Sequence, residues 1–170
     1  MKEIQLTQGY VALVDDEDEE RISQHKWRMT RNGRKNYAIR NVTDAATGKQ
    51  GTVYMHRILM DTQPEQEVDH ADHDGLNNRR ENLRLCTKAE NQYNRRKRSD
   101  ETSSRFKGVS WDKARAKWQA GIKVDRHNLY LGRFADEVEA ARAYDAEARS
   151  RFGDFASLNL PEGGQPCLKR

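Results

Sequence analysis

The first 60 residues of the chain alternate hydrophobic and polar positions over short stretches, a pattern that predicts strands. An acidic run at residues 15–20 favours the start of a short helix that continues toward Ile22. The pair Asn32-Gly33 is typical of a primed turn in a hairpin. We therefore expect a small, mostly β platform over residues 1–60. Its strands are predicted at residues 4–15, 26–29, 36–42 and 52–57.

A different pattern begins at Val68, which starts a strand, a polar loop, a second strand over 83–85 and a helix that reaches about Arg96. Thr87 and Glu90 have the spacing of a capping box, so this helix should begin directly after the second strand. Residues 97–104 are polar and basic, which indicates a linker.

The chain from Phe106 onward predicts three short strands followed by a helix over residues 136–152. In the second strand, Trp118, Ala120 and Ile122 should face a core, and the residues between them should face the opposite side. The helix repeats apolar residues at spacings of three and four, which indicates packing against the sheet. These residues are Val138, Ala141, Tyr144, Ala148 and Phe152.

These elements predict an α+β protein built from small modules rather than one large scaffold. The expected modules are a β-rich platform, a ββα module, a basic linker, a three-stranded antiparallel sheet packed on one helix, and a tail. They are predicted at residues 1–60, 61–96, 97–104, 105–160 and 161–170.

The composition and the distribution of charge along the chain indicate a polyanionic binding partner. Hydrophobic residues make up 35% of the chain and charged residues 34%, so each core must be small. Residues 91–133 contain twelve Lys and Arg against four Asp and Glu, whereas residues 1–30 contain four against seven. The basic middle of the chain is where a nucleic acid would bind, although such a run is also typical of a solvated surface.

Cysteine usage and hydropathy bear on the compartment. Cys86 and Cys167 are far apart and lack the CxxC spacing of structural zinc sites, which fits a reduced, cytoplasmic setting. The N-terminus lacks a signal-peptide pattern, and no apolar run approaches the roughly 20 residues of a membrane span. We expect a protein without a membrane partner.

Reactive residues are concentrated between residues 68 and 94, where Asp69 and His70 are adjacent, Asn82 follows a polar loop, and Asn91 falls on the first turn of a helix. This segment, from about His56 to Asn94, resembles the HNH nuclease motif of the ββα-metal type, with Asn91 at a position where His is common. The resemblance implies a DNA endonuclease that hydrolyses phosphodiester bonds with a divalent metal.

The resemblance also implies a role for each of these residues. Asp69 and Asn91 would supply hard oxygen ligands to Mg²⁺, for which Mn²⁺ could substitute, and Asn94 is a competing ligand. His70 would not bind the metal and, as a catalytic base, would take a proton from the attacking water. Asn82 would fix the loop and the orientation of His70.

Other interpretations of this segment remain open. Residues 70–81 place Asp72, Asp74, Gly75 and Glu81 at calcium-loop positions, but His70 stands where that loop needs a carboxylate. His56 and Arg57 resemble a pair that precedes the HNH motif, and they could serve DNA binding, catalysis or packing alike. His73 is expected to be a loop residue rather than a second base.

Residues 105–160 resemble the AP-two/ethylene-response-factor DNA-binding domain through the motifs FKGVSW, KWQAGI, YLGRF and EAARAYDAEA. The resemblance implies that the sheet face opposite the helix enters the major groove. The DNA-binding residues expected in this domain and in the basic segment before it, alongside His56 and Arg57, are Arg95, Arg96, Lys107, Ser110, Lys117, Gln119, Lys123, Arg126, Asn128 and Tyr130.

Together the two motifs resemble phage-encoded HNH homing endonucleases. The combination implies site-specific cleavage of double-stranded DNA, in the cytoplasm of a bacterial host, without a small-molecule substrate. One HNH constellation and no clear dimer pattern favour a monomer that nicks one strand. The alternative is a DNA-binding regulator with a decayed nuclease, which the presence of Asp69, His70, Asn82 and Asn91 disfavours.

Overall fold

The computed structural model describes residues 1–95, 97 and 103–160, which form a mixed α and β structure of small antiparallel sheets and a few helices. The chain divides into two compact units, Met1–Asn91 and Gln92–Arg170. Arg96, most of the predicted linker and the whole predicted tail lie outside the described residues.

Five strands and two short helices form the first part of the first unit. Strands β1 and β2 pair as one antiparallel sheet, and β3, β4 and β5 form a second with β4 in the centre. In chain order the elements are β1 (Lys2–Gln5), β2 (Val11–Val14), α1 (Glu19–Ser23), β3 (Arg28–Asn32), β4 (Lys35–Thr43), β5 (Gln50–Tyr54) and α2 (Met55–Leu59).

The structure corrects three details of the predicted platform. The single strand expected at 4–15 is a hairpin, because the chain turns at Gly9, whose φ is 74°. The primed turn is centred on Gly33 and Arg34 rather than on Asn32-Gly33, since Asn32 already pairs with Lys35. The strand expected at 52–57 ends at Tyr54, where helix α2 begins.

The ββα element follows as predicted. Strands β6 (Glu67–His70) and β7 (Leu83–Cys86) pair antiparallel, and helix α3 (Lys88–Tyr93) begins two residues later. The capping box is formed: the Thr87 amide donates to the Glu90 carboxylate over 2.8 Å, and the Glu90 amide donates back to the Thr87 hydroxyl.

One hydrophobic core joins the platform to the ββα element. Trp27, Ile22 and Met55 from the platform are almost completely buried, and Val68 of β6 and Leu83 of β7 lie in the same cluster. Segments expected as separate modules therefore bury their apolar faces against each other within the unit Met1–Asn91.

Hydrogen bonds and an ion pair connect the loop between β6 and β7 to the platform. The backbone of Leu13 exchanges hydrogen bonds of 2.8 Å with Leu76 and Asn78. The buried carboxylate of Asp18 accepts two hydrogen bonds from the Arg80 guanidinium, at 2.8 and 2.7 Å. The acidic run at residues 15–20 therefore holds the loop between β6 and β7 as well as starting a helix.

The second unit contains the predicted sheet and helix. Strands β8 (Val109–Asp112), β9 (Lys117–Val124) and β10 (His127–Phe134) form an antiparallel sheet with β9 in the centre. Helix α4 (Glu137–Phe152) is capped by Asp136, whose carboxylate accepts from two backbone amides. The residues predicted for the core are buried or half-buried, and Ala120, Ala141 and Ala148 have no exposed surface.

Close packing at one turn of this unit requires glycine. Gly108 has a φ of 74°, and an added Cβ would lie 2.1 Å from the ring of Tyr144. Within the described residues, no helix is both long and apolar enough to cross a bilayer.

Removal of the Arg80 side chain is expected to destabilise the first unit, because it leaves the buried Asp18 carboxylate without its guanidinium partner. We expect Arg80→Ala to lower the free energy of unfolding by about 1–3 kcal/mol, measured by urea denaturation. Arg21→Ala is the matched control, since Arg21 pairs with Asp61 on the surface and should cost less than about 1 kcal/mol. Equal losses in the two variants would contradict the anchoring role of Asp18.

Candidate active site and nucleic-acid interface

The two faces of the β6–β7 ribbon carry different chemistry. Successive residues of a strand point to opposite sides, so Glu67 and Asp69 share one face and Val68 and His70 share the other. Asp69 and His70, adjacent in sequence, therefore present their side chains to separate surroundings.

The Asp69 face is acidic and is closed by helix α3. The buried carboxylate of Asp69 forms an ion pair with Arg84, its cross-strand neighbour on β7. Helix α3 returns Asn91 to the same face, where its amide donates to the Glu67 carboxylate over 2.7 Å. Asn94 follows the helix and is buried in the second unit, so Asn91 is the asparagine that reaches this face.

The oxygen atoms on this face are suitable ligands for a hard cation. Two carboxylates and an amide offer the oxygen ligands that Mg²⁺ takes, and water and phosphate would complete its coordination. Among the described residues, no group of three His, Cys, Asp or Glu is placed to hold a metal. The residues present therefore fit a metal that is bound through few protein ligands and shared with a substrate, and they do not fit a closed structural site.

The His70 face is aromatic and buried. The His70 ring lies 5.0 Å from the ring of His56 and 5.8 Å from that of Tyr37, in edge-to-face arrangements. Tyr54 lies 5.3 Å from His56 and 5.8 Å from Tyr37. Tyr37 and His56 thus contact the His70 imidazole directly, Tyr54 contacts both of those rings, and His70 is only 1% exposed.

Asn78 sets the proton position on His70. Its Oδ1 lies 3.3 Å from His70 Nε2, while its Nδ2 donates to the Leu76 carbonyl, which fixes the orientation of the amide. An amide oxygen only accepts, so Nε2 carries the proton in the neutral ring and Nδ1 is its basic nitrogen. Burial lowers the pKa of His70, which keeps the ring neutral.

His56 and Arg57 have separate surroundings. Burial, with the nearby charges of His70, Arg57 and Lys35, lowers the pKa of His56 to about 3. His56 Nδ1 has no hydrogen-bond partner among the described residues. Arg57 donates to the carbonyls of Gln63 and Gln66, at 2.6 and 2.8 Å. The structure therefore places His56 beside the candidate base and uses Arg57 to hold the turn before β6.

Asn82 closes the loop through both ends of its amide. Its Nδ2 donates to Asp72 Oδ1 and to the Asn77 carbonyl, and its Oδ1 accepts from the Asp72 amide. The Asp72 carboxylate also accepts from Asn77 Nδ2. Asn82 thus holds the loop as expected, whereas the hydrogen bond to the His70 ring comes from Asn78.

In these contacts the carboxylates at the calcium-loop positions do not converge on one point. Asp72 is engaged with Asn77 and Asn82, and Glu81 is 69% exposed and paired with Arg79. Asp74 Oδ1 accepts a hydrogen bond from the Leu76 backbone amide.

Several residues of the site were not predicted from the sequence. Strand alternation alone could have indicated Glu67, which lies two residues before Asp69 on the same face. Tyr37 and Asn78 carry no local signal, because each reaches His70 through tertiary packing. Gly75 is required by that packing, since an added Cβ would lie 2.3 Å from the Asn36 carbonyl and 2.6 Å from the Tyr37 ring.

In the second unit, the β8–β10 sheet exposes most of the residues expected to contact DNA on the face opposite helix α4. The register places Lys123 beside Asn128 and Ser110 beside Gln119. Arg126 lies in the β9–β10 turn with a φ of 69°. The expected residues that are exposed are Arg95, Ser110, Lys117, Lys123, Arg126, Asn128 and Tyr130, and Gln119 is half-buried.

Lys107 does not lie on that exposed face. Its ammonium donates to the Tyr93 carbonyl over 2.7 Å and lies 6.0 Å from the centre of the Tyr144 ring, on the helix side of the sheet. Burial lowers the pKa of Lys107 to about 8. The expectation that Lys107 reads base edges is therefore corrected, because its charge is covered by the core of its own unit.

Comparison with known protein families supports the nuclease interpretation of residues 62–93, which match the family model described as HNH endonuclease. An uncharacterized HNH endonuclease of Acanthamoeba polyphaga mimivirus is 28% identical over 157 residues, covering 89% of this chain and 75% of the viral protein. Protein 3.8 of Escherichia phage T7 is 33% identical over 91 residues, 52% of this chain and 72% of the phage protein.

A plant protein is similar over a shorter stretch. The dehydration-responsive element-binding protein 2D of Arabidopsis thaliana is 43% identical over 65 residues, which cover 37% of this chain and 31% of the plant protein.

The buried His56 predicts a dependence of stability on pH. Its pKa is about 3 in the folded chain and near the ordinary 6.5 when unfolded, so the unfolded state binds the proton first as pH falls. The free energy of unfolding should therefore be highest above pH 6.5 and decrease toward acid. Urea denaturation at a series of pH values should show a flatter decrease in His56→Gln, whereas His25→Gln, at an exposed position of the same unit, should keep the wild-type slope.

Proposed function

The chain belongs to the HNH endonuclease family and is a DNA endonuclease, and from this we propose that it uses a divalent metal to hydrolyse phosphodiester bonds of duplex DNA at a specific site. We further propose that it is a homing-type enzyme that nicks one strand. The observation that carries the proposal is the ββα element, in which β6, β7 and α3 present Asp69, Asn91 and His70 around one ribbon.

Asp69 and Asn91 are the residues that would hold the metal, with Glu67 beside them. The metal, Mg²⁺ in this proposal and replaceable by Mn²⁺, would neutralise charge on the phosphate and on the leaving oxygen. Arg84, which is paired with Asp69, orients this carboxylate.

His70 is the proposed general base. Its neutral ring, with the proton held on Nε2 by Asn78, can accept a proton on Nδ1 from the attacking water. The surrounding rings of Tyr37 and His56 fix the imidazole plane and exclude bulk solvent. Asn82 contributes by keeping the loop closed rather than by touching the reacting atoms.

The β8–β10 sheet is the proposed reader of the DNA sequence. Its exposed face brings together cationic, amide and phenol side chains that can bond to base edges in the major groove. The similarity to a plant element-binding protein supports this assignment. Lys123, Arg126 and Asn128 are its foremost candidates for base contacts, and Arg95 is a candidate for phosphate contacts.

Two substitutions test the active site. Asp69→Ala and His70→Ala should each reduce plasmid cleavage in Mg²⁺ by about 10²-fold or more, because one removes the charged metal ligand and the other the base. Affinity for DNA without metal should change little. Glu81→Ala is the matched control, an exposed carboxylate of the same loop that should keep activity; loss of activity in Glu81→Ala together with full activity in Asp69→Ala would instead favour the calcium-loop interpretation.

A time course tests single-strand nicking. One chain carries one HNH constellation, so each binding event should cut one strand. Supercoiled plasmid carrying the target should become open circles before linear DNA forms, with a rate linear in enzyme concentration. Linear product that forms directly, with a sigmoidal dependence on enzyme concentration, would show that two chains act together.

A further inference from the structure

The hairpin β3–β4 carries an excess of positive charge that the proposed function does not use. Residues 26–43 contain six Lys and Arg and no Asp or Glu. By contrast, residues 15–20 are all acidic, and they engage internal partners such as Arg80, Lys2 and the N-terminal amine. The first unit therefore separates its charges, with several of these acids paired to cations of the fold and the hairpin left basic.

Two arginines of the hairpin, Arg28 and Arg31, differ in their partners from four other arginines of this unit. Arg21, Arg79, Arg80 and Arg84 each form an ion pair with a carboxylate. Arg28 instead donates to the Asn41 amide oxygen and Arg31 to the Gly33 carbonyl, and neither has a carboxylate partner among the described residues. Their positive charge is thus uncompensated within the fold.

The hairpin also borders the candidate base. Arg28 pairs with Ile39 and Thr30 pairs with Tyr37, so Arg28 and Tyr37 share one face of the sheet. Tyr37 contacts the rings of His56 and His70 from this face. Arg31 pairs with Asn36 at the hairpin tip and lies on the other face of the same edge strand. At the hairpin tip, Asn36 lies directly against Gly75 of the catalytic loop.

The tip adds positive charge next to the imidazole. The Lys35 ammonium, one residue from Asn36, interacts electrostatically with both His56 and His70. A DNA strand that presents its phosphate to His70 must therefore pass close to the basic hairpin, where each phosphate gains from a nearby cation.

From this placement we propose that the β3–β4 hairpin is a second DNA-binding surface, which uses Arg28 and Arg31 to hold backbone phosphates next to the scissile bond. This inference rests on the proposed function, because it takes duplex DNA as the substrate. The hairpin positions the cut strand without reading sequence, whereas the β8–β10 sheet supplies base contacts. A competing explanation is that charges on the edge strand β3 only prevent strands of different molecules from pairing.

Salt-dependent binding separates these explanations. The full chain is titrated against a duplex carrying the mapped nick site, without divalent metal, over a range of NaCl concentrations. In Arg28→Gln/Arg31→Gln the slope of log affinity against log salt should become shallower by about 1–2, since each lost phosphate contact removes about 0.9. Arg21→Gln, which loses a cation of the same unit outside the hairpin, should keep the wild-type slope. Thermal melting checks folding, and Arg31→Gln alone serves if the double variant is unstable.

Uncharged analogues of the DNA backbone show which phosphates the hairpin contacts. Methylphosphonates placed beside the scissile bond should weaken binding by the wild type and weaken binding by the double variant much less, because its contact is already lost. A double variant that keeps the full salt slope and full sensitivity to methylphosphonates would overturn the hairpin assignment while leaving the nuclease intact. A wild-type chain that neither binds nor nicks DNA would overturn the proposed function and the hairpin assignment with it.

Discussion

The catalytic loop between β6 and β7 has to satisfy its own polar groups while lying against a hydrophobic core, and the rest of the first unit depends on this constraint. Asn82, Asp72 and Asn77 bond to one another inside the loop. Asp18 binds Arg80 from outside it. Because buried polar groups without partners are costly, the loop can hold one conformation only where all these partners are present. The platform is therefore part of what holds the β6–β7 loop in its conformation.

The two-stranded ribbon separates two kinds of chemistry that phosphodiester hydrolysis needs close together. On one face, Glu67 and Asp69 keep negative charge among polar groups, which suits a cation. On the other, rings enclose His70, and burial lowers its pKa, which keeps the imidazole neutral. A metal and a base that shared one environment would compete, since positive charge beside an imidazole lowers its ability to take a proton.

The acidic and basic segments of the chain have different roles in the fold. The acidic residues near the N-terminus neutralise arginines that the fold needs in fixed positions, such as Arg80. The basic residues of the β3–β4 hairpin and of the β8–β10 sheet lie on surfaces, where a polyanion can reach them. The small net charge of +4 thus combines two basic surfaces with one acidic segment, several of whose carboxylates pair with cations of the fold.

Sequence by itself determined those features that depend on neighbours a few residues apart. The capping box of Thr87 and Glu90, the alternation in β9 and the apolar spacing in α4 were all predictable, because they follow from backbone periodicity. The HNH segment could also be recognised, since its residues keep a characteristic spacing. In the structure Asp69 and His70 lie on β6 and Asn91 on α3, whereas Asn82 lies in the short turn directly before β7.

Only the tertiary structure decided which distant groups meet. Asn78 rather than Asn82 bonds to His70, Tyr37 packs on the imidazole from a strand more than thirty residues away, and Lys107 turns into the core instead of the sheet surface. No local pattern encodes these contacts, because they depend on how complete elements pack and on which polar atoms remain to be satisfied once they have packed.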